Sequence, residues 1–276
     1  MPEKYCVIGG DVSRSLSPAM MNAAFEELKI DATYGAVSLT REEFGTRFPQ
    51  LKEEYGGMSV TIPYKSDVIP LVDGLDEVSS RIGAVNVIKR AGSKHLGFNT
   101  DAGGIVTPLR ERGKGSPRSA LLVGAGGAAR AFCEAMNEMR CGSITVVVRD
   151  PSRGQNFISE MGRVFPGVRF GFTTFARLQH TDVDLIFNAT PIGSRDQALP
   201  ESLKRVIYGQ ATVFDAVYRP MKTDLLKTAE LRGCSTVYGY EMLLNQGALA
   251  FEIWTGRKAP KETMRKALLD SMEVAA

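Results

Sequence analysis

Ser119-Ala-Leu-Leu-Val-Gly-Ala-Gly-Gly-Ala-Ala-Arg130 runs from an apolar stretch into a glycine cluster and out into small residues. Buried strands are apolar along their length, tight turns need glycine and alanine favours helix, so the stretch predicts strand, turn and helix in that order. Gly124, Gly126 and Ala129 fit the G-x-G-x-x-G/A spacing. The first glycine makes the turn, the second lets backbone approach a pyrophosphate, and the small third residue lets helix pack on strand. The helix start that follows offers free amides and a positive dipole end to phosphate. A bare glycine-rich turn that binds nothing is the alternative.

A second β-rich run, Ser143–Val148, follows at βαβ distance and ends in Arg149-Asp150-Pro151-Ser152-Arg153. Runs at 168–172, 184–188, 212–217 and 235–238, with a helical 221–231, continue the alternation, which predicts a parallel sheet covered on both faces. Upstream, strands at 5–8, 33–39 and 58–62 alternate with helices at 17–28 and 41–55, giving a second α/β unit. Helices over 240–255, closed by Gly256, and over 260–272 are placed with that first unit. The expectation is an α/β protein of two domains: 1–105 plus 240–276, and a doubly wound, Rossmann-type 106–239.

The 276 residues suffice for two domains at about 150 residues each, and 43% hydrophobic with 24% charged residues is globular composition. With 34 basic against 31 acidic side chains and no basic run, nucleic acid is a poor partner. No apolar stretch reaches the roughly 18 residues of a membrane helix, and residues 1–5 lack a signal-peptide core, so a cytoplasmic location is expected. Cys6, Cys133, Cys141 and Cys234 contain no C-x-x-C pair, so neither a disulfide framework nor a metal site is expected. His95 and His180 sit in polar surroundings and read as surface or loop residues, with no triad around them.

Several fragments can carry chemistry. In Ser13-Arg14-Ser15-Leu16-Ser17-Pro18, Ser17 suits an N-cap and Pro18 the first helical position, a corner that serves either plain capping or an anion. Ser59-Val60-Thr61-Ile62-Pro63-Tyr64-Lys65 delivers Thr61 and Lys65 beyond a strand end, where α/β ligand crevices lie; a solvated lysine is the alternative. Asn86 interrupts an apolar stretch, and Asp101 suits an N-cap.

Together these fragments resemble the shikimate dehydrogenase family over nearly the whole chain. The matching motifs are Ser15–Pro18 with Asn22, Val60–Lys65, Gly83–Asn86, Asn99–Asp101, Gly124–Ala128, Asn188–Gly193, Asp215–Thr223 and Gln246–Gly256, in the family's order. The resemblance implies reversible, NADP-dependent reduction of 3-dehydroshikimate to shikimate in chorismate and aromatic amino-acid biosynthesis. It makes 1–105 plus 240–276 the substrate-binding catalytic domain and 106–239 the dinucleotide domain. By matched position, Ser15 and Ser17 bind the substrate carboxylate with Tyr218 nearby; Thr61, Asn86 and Gln246 hold ring hydroxyls; Lys65 and Asp101 are catalytic and also contact substrate. The cofactor falls to Gly124, Ala125, Gly126, Gly127, Ala128, Arg149, Asp150, Arg153, Asn188, Thr190, Gly239 and Met242. Monomer and homodimer both fit.

Three positions depart from the family pattern: Arg14 for a histidine, Ser59 for an asparagine, and Val148-Arg149-Asp150 for Asn-Arg-Thr. Arg149 and Arg153 favour a 2′-phosphate, while Asp150 favours a free 2′-hydroxyl, so the balance leans to NADP with NAD still open. The rival readings are a quinate/shikimate dehydrogenase using NAD and a non-catalytic dinucleotide-binding sensor. An ammonium beside a ketone under hydride attack can stabilise the charge that builds on oxygen and then supply the proton, a role that suits Lys65.

Overall fold

The computed structural model describes residues 2–179, 182–194 and 197–273, so His180 lies outside the described residues. Along the first part of the chain run β1 (Glu3–Gly9), α1 (Ser17–Glu27), β2 (Ala32–Ser38), α2 (Arg41–Glu54), β3 (Gly57–Val60), β4 (Gly74–Leu75), α3 (Glu77–Ile82), β5 (Val87–Ala91), β6 (Lys94–Phe98) and α4 (Asp101–Glu111). Then come β7 (Ser119–Val123), α5 (Gly127–Glu138), β8 (Ser143–Val148), α6 (Pro151–Val164), β9 (Arg169–Thr174) and β10 (Leu185–Asn188). The chain closes with α7 (Glu201–Val206), β11 (Thr212–Asp215), α8 (Asp224–Leu231), β12 (Ser235–Val237), α9 (Gly239–Thr255) and α10 (Lys261–Glu273).

The chain forms two compact units, Met1–Gly104 with Leu244–Ala276, and Ile105–Leu243. It passes between them inside α4 and α9 rather than through linkers. In the first unit the sheet order is β2-β1-β3-β5-β6-β4. β1 pairs in parallel with β2 and β3, but β5 is antiparallel to both β3 and β6. The β5–β6 hairpin was not expected from sequence; it turns at Gly92, whose φ of 64° is left-handed and open to glycine. α9 is held on this sheet by Trp254, whose indole N–H donates to the Ile88 carbonyl at 2.9 Å. The indole lies over Gly57, where any side chain would collide with it.

The second unit has the order β12-β11-β10-β7-β8-β9, every pairing parallel. Numbered within the domain this is 3-2-1-4-5-6 read from the other edge, the doubly wound dinucleotide order, with its switch point between β7 and β10. The strands are buried on both faces, which is why they read as continuous apolar runs: Leu121, Leu122, Val146, Val147, Ile186 and Phe187 are all fully buried.

Candidate active site

In the first unit, the ends of parallel β1 and β3 create one polar corner. The Thr61 amide donates to the Ile8 carbonyl at 2.9 Å, and the Gly10 amide to the Ile62 carbonyl at 2.9 Å. Gly9 is required there, because a Cβ would stand 2.5 Å from the Thr61 methyl. The chain is pinned on either side of Lys65: the buried Tyr64 hydroxyl donates to the Leu39 carbonyl at 2.7 Å, and the Lys65 carbonyl accepts from the Val85 amide at 2.8 Å.

From this anchored backbone the Lys65 ammonium reaches Asp101 and forms an ion pair with Oδ2; the side chains are 14% and 5% exposed. Asp101 Oδ1 accepts from Asn86 Nδ2 at 2.9 Å, and the same amide group reaches Thr100 Oγ1 at 2.9 Å and Gln246 Oε1 at 3.3 Å. Asn86 Oδ1 in turn accepts from the Thr100 amide at 2.7 Å. Lys65, Asn86, Asp101 and Gln246, distant in sequence, therefore form one network. Its one cation keeps donors to spare at a point solvent can reach, an arrangement suited to stabilising and protonating a developing oxyanion.

Two capping expectations are corrected. Asp101 does not cap α4: Asn99 Oδ1 accepts the Asp101 amide at 3.0 Å and the Ala102 amide at 3.4 Å, which frees the Asp101 carboxylate for Lys65 and Asn86. Nor does Ser17 cap α1. Ser15 Oγ accepts the Ser17 amide at 3.3 Å, while Ser17, buried, has no intrahelical cap bond. Asn22 is structural, bonding both backbone groups of Tyr34 at 2.8 and 2.9 Å. Ser59 accepts from the Tyr34 hydroxyl at 2.7 Å, and Arg14 is exposed. His95 is also corrected: it is buried in β6, its Nε2 3.0 Å from the Lys52 carbonyl.

The second unit carries the glycine-rich turn at the switch point. Gly124 has φ 104°, and a Cβ there would meet the Thr190 methyl at 2.6 Å. Gly126 begins α5 with no side-chain cap and no acid in the first turn, and nothing lies within 4 Å of where its Cβ would be. This open cradle of Gly124, Ala125, Gly126, Gly127 and Ala128 fits a pyrophosphate. At the end of β8 stand exposed Arg149, Asp150 and Arg153. Arg149 reaches Gln197 Oε1 at 3.4 Å and Arg153 the Ala125 carbonyl at 3.5 Å, long contacts that leave most guanidinium donors available.

Asn188, expected from the family resemblance to serve the cofactor, sits beside the glycine-rich turn as the last residue of β10. It is fully buried, donates to the Ile192 carbonyl at 2.8 Å and to Asp215 Oδ1 at 2.9 Å, and accepts from the Thr190 amide and hydroxyl at 3.1 and 2.7 Å. Its work is to position Thr190. Asp215 also accepts from Thr223 Oγ1 at 2.6 Å and from the Val217 amide at 3.0 Å. Sequence reading gave Asp215 and Thr223 no role beyond their place in a motif; their eight-residue spacing brackets the loop that carries Tyr218. Tyr218 is half-buried in this second unit, and burial pushes its phenol up. Gly239 packs so tightly on the Val217 carbonyl that a Cβ would lie 2.5 Å from it, and Met242 is buried one helical turn further along α9.

Burial raises the Asp215 carboxyl to about 6 against its three hydrogen bonds. A carboxyl raised on folding favours the protonated folded state, so the destabilisation is absent below about pH 4, grows as pH rises, and is complete above about pH 6. Its size is on the order of 3 kcal/mol. Asp215→Asn should remove this slope: in urea unfolding, wild type should lose stability relative to the variant between pH 4 and 7, and parallel profiles would count against an ionising Asp215.

Residues 7–88 match the model of the shikimate dehydrogenase substrate binding domain, and residues 239–269 that of the shikimate 5′-dehydrogenase C-terminal domain. The chain is 37% identical over 271 residues to shikimate dehydrogenase (NADP(+)) of Nitrosopumilus maritimus, covering 98% of this chain and 99% of that one. The chain belongs to the shikimate dehydrogenase family. The enzyme of the same name from Dehalococcoides mccartyi is 39% identical over 270 residues, 95% of this chain and 93% of its own. Among solved structures, shikimate 5-dehydrogenase from Thermus thermophilus in complex with NADP(H) and shikimate superposes with a TM-score of 0.85 at 31% identity, covering 98% of this chain and 99% of its own. In this shikimate dehydrogenase family member the Lys65–Asp101 network belongs to the first unit and the glycine cradle to the second. No helix among the described residues is long and apolar enough to cross a membrane.

Proposed function

We propose that this chain is an NADP-dependent shikimate dehydrogenase, reversibly reducing 3-dehydroshikimate to shikimate in aromatic amino-acid biosynthesis. The observation that carries the proposal is the Lys65–Asp101 ion pair, tied through Asn86 to Gln246 at the ends of β1 and β3. The first unit is then the substrate-binding catalytic domain and the second the dinucleotide domain. Ser15 and Ser17 hold the substrate carboxylate, and Thr61, Asn86 and Gln246 the ring hydroxyls. Reduced NADP, when bound, supplies the hydride. Lys65 Nζ donates a hydrogen bond to the ketone oxygen, stabilises the charge that grows there, and passes it a proton. Asp101 holds the ammonium in place through Oδ2 while Asn86 fixes Oδ1. In the oxidative direction the same nitrogen takes the alcohol proton.

The cradle of Gly124 to Ala128 suits the pyrophosphate, Arg149 and Arg153 suit the 2′-phosphate, Thr190 borders the cradle, and the Gly239–Met242 segment suits the nicotinamide end. All these residues come from one chain, so monomer and homodimer are equally compatible, and a cytoplasmic location gives access to NADPH. Steady-state rates with shikimate and quinate, each with NADP and NAD, test the reading. Shikimate with NADP should give the highest kcat/KM. A highest value for quinate with NAD would replace it with the quinate reading, and cofactor binding without turnover of either acid would leave a dinucleotide-binding sensor.

A further inference from the structure

The Asp150 carboxylate stands between two arginines suited to a 2′-phosphate, yet a free carboxylate there would repel that phosphate and accept from a 2′-hydroxyl instead. The structure shows where the carboxylate is spent. Ser152 donates its amide to Oδ1 at 2.9 Å, and its hydroxyl reaches Oδ1 at 2.9 Å and Oδ2 at 3.0 Å. Asp150 is the N-cap of the 14-residue α6, with β-region dihedrals, so its charge also faces the positive end of that helix. These Ser152 bonds, with a smaller pull from Arg153, hold the carboxyl below its usual range, so it stays a committed, ionised acceptor. Arg149 and Arg153 meanwhile keep donors available.

We infer that Ser152 is a specificity-determining positioning residue: its hydroxyl locks the Asp150 carboxylate onto the start of α6 and so lets Arg149 and Arg153 read a 2′-phosphate despite the neighbouring acid. The inference rests on the NADP reading above. Without the hydroxyl, Oδ2 loses the Ser152 bond and the carboxylate is held by backbone amides alone, so it turns more freely toward the ribose, repelling phosphate and rewarding a hydroxyl. Ser152 and Asp150 are both exposed, so substitution at either should not endanger folding.

The test is calorimetric titration of the full chain with adenosine 2′,5′-bisphosphate and with AMP, alongside the NADP-to-NAD ratio of kcat/KM. Wild type should prefer the bisphosphate. Ser152→Ala should reduce that preference about tenfold, the scale of one hydrogen bond to a charged group, and shift the kinetic ratio the same way, while Ser152→Thr should retain it. In an Asp150→Ala background the Ser152→Ala change should have no further effect. If wild type prefers the bisphosphate and Ser152→Ala prefers it equally, or if the loss persists without Asp150, the lock is overturned and the NADP reading stands. If wild type shows no preference, the NADP reading itself fails, and the lock with it.

Discussion

Lys65→Ala is expected to lower kcat by on the order of 10²- to 10⁴-fold, the usual reach of one general acid, with KM for shikimate changed only a few-fold. The split follows from position. The ammonium is paired and fixed before substrate arrives, so its gain is concentrated where charge appears on the reacting oxygen, while the proposed assignment leaves Ser15, Ser17 and Thr61 to bind the acid. Lys65→Arg should not rescue the rate: guanidinium keeps the charge but releases no proton at accessible pH. Steady-state kinetics on both variants, with circular dichroism to confirm folding, settle the point. A rise in KM alone would reduce Lys65 to a binding residue, and full activity in Lys65→Arg would remove proton transfer from its role.

Gly126→Ala is expected to weaken NADP binding about 100-fold or more while leaving the protein at least as stable as wild type. Here the fold and the ligand make opposite demands on one atom. Gly126 has φ −109° and ψ −165°, extended backbone that alanine adopts freely, and its Cβ would meet nothing within 4 Å. Reducing the freedom of the unfolded chain adds about 0.4 to 1 kcal/mol where alanine fits. The open space is the cradle at the start of α5, so a methyl there displaces the pyrophosphate rather than any protein group, and about 3 kcal/mol of lost contact corresponds to a factor near 150. Fluorescence titration with NADPH and a urea unfolding curve give the two readouts. Unchanged affinity would mean that the dinucleotide does not lie against this turn.

What the sequence disclosed followed from how locally each feature is written. The dinucleotide unit was legible because its strands are apolar on both faces and its turn needs glycine at fixed offsets. The β5–β6 hairpin was not, because Lys89, Arg90, Lys94 and His95 interrupt any alternation and its register comes from pairing with β3. Local spacing also misassigned the caps: Ser17 and Asp101 look like N-caps, but Ser15 and Asn99, two residues earlier in each case, supply the oxygens. The partners of Asn188 were equally hidden, since nothing along the chain reveals that its amide bonds Ile192, Thr190 and Asp215. The Lys65–Asp101 pairing itself, 36 residues apart, became an expectation only through family resemblance; the fold brings the two together because the loop after β3 and the start of α4 converge on Asn86.

The most direct test of that pairing is a double-mutant cycle on kcat with Lys65→Ala, Asp101→Asn and the two combined. One proton-handling unit requires strong non-additivity, so the combined variant should be scarcely slower than the slower single variant. Rate losses that simply multiply would show two independent groups, and the shared ammonium–carboxylate chemistry would be wrong.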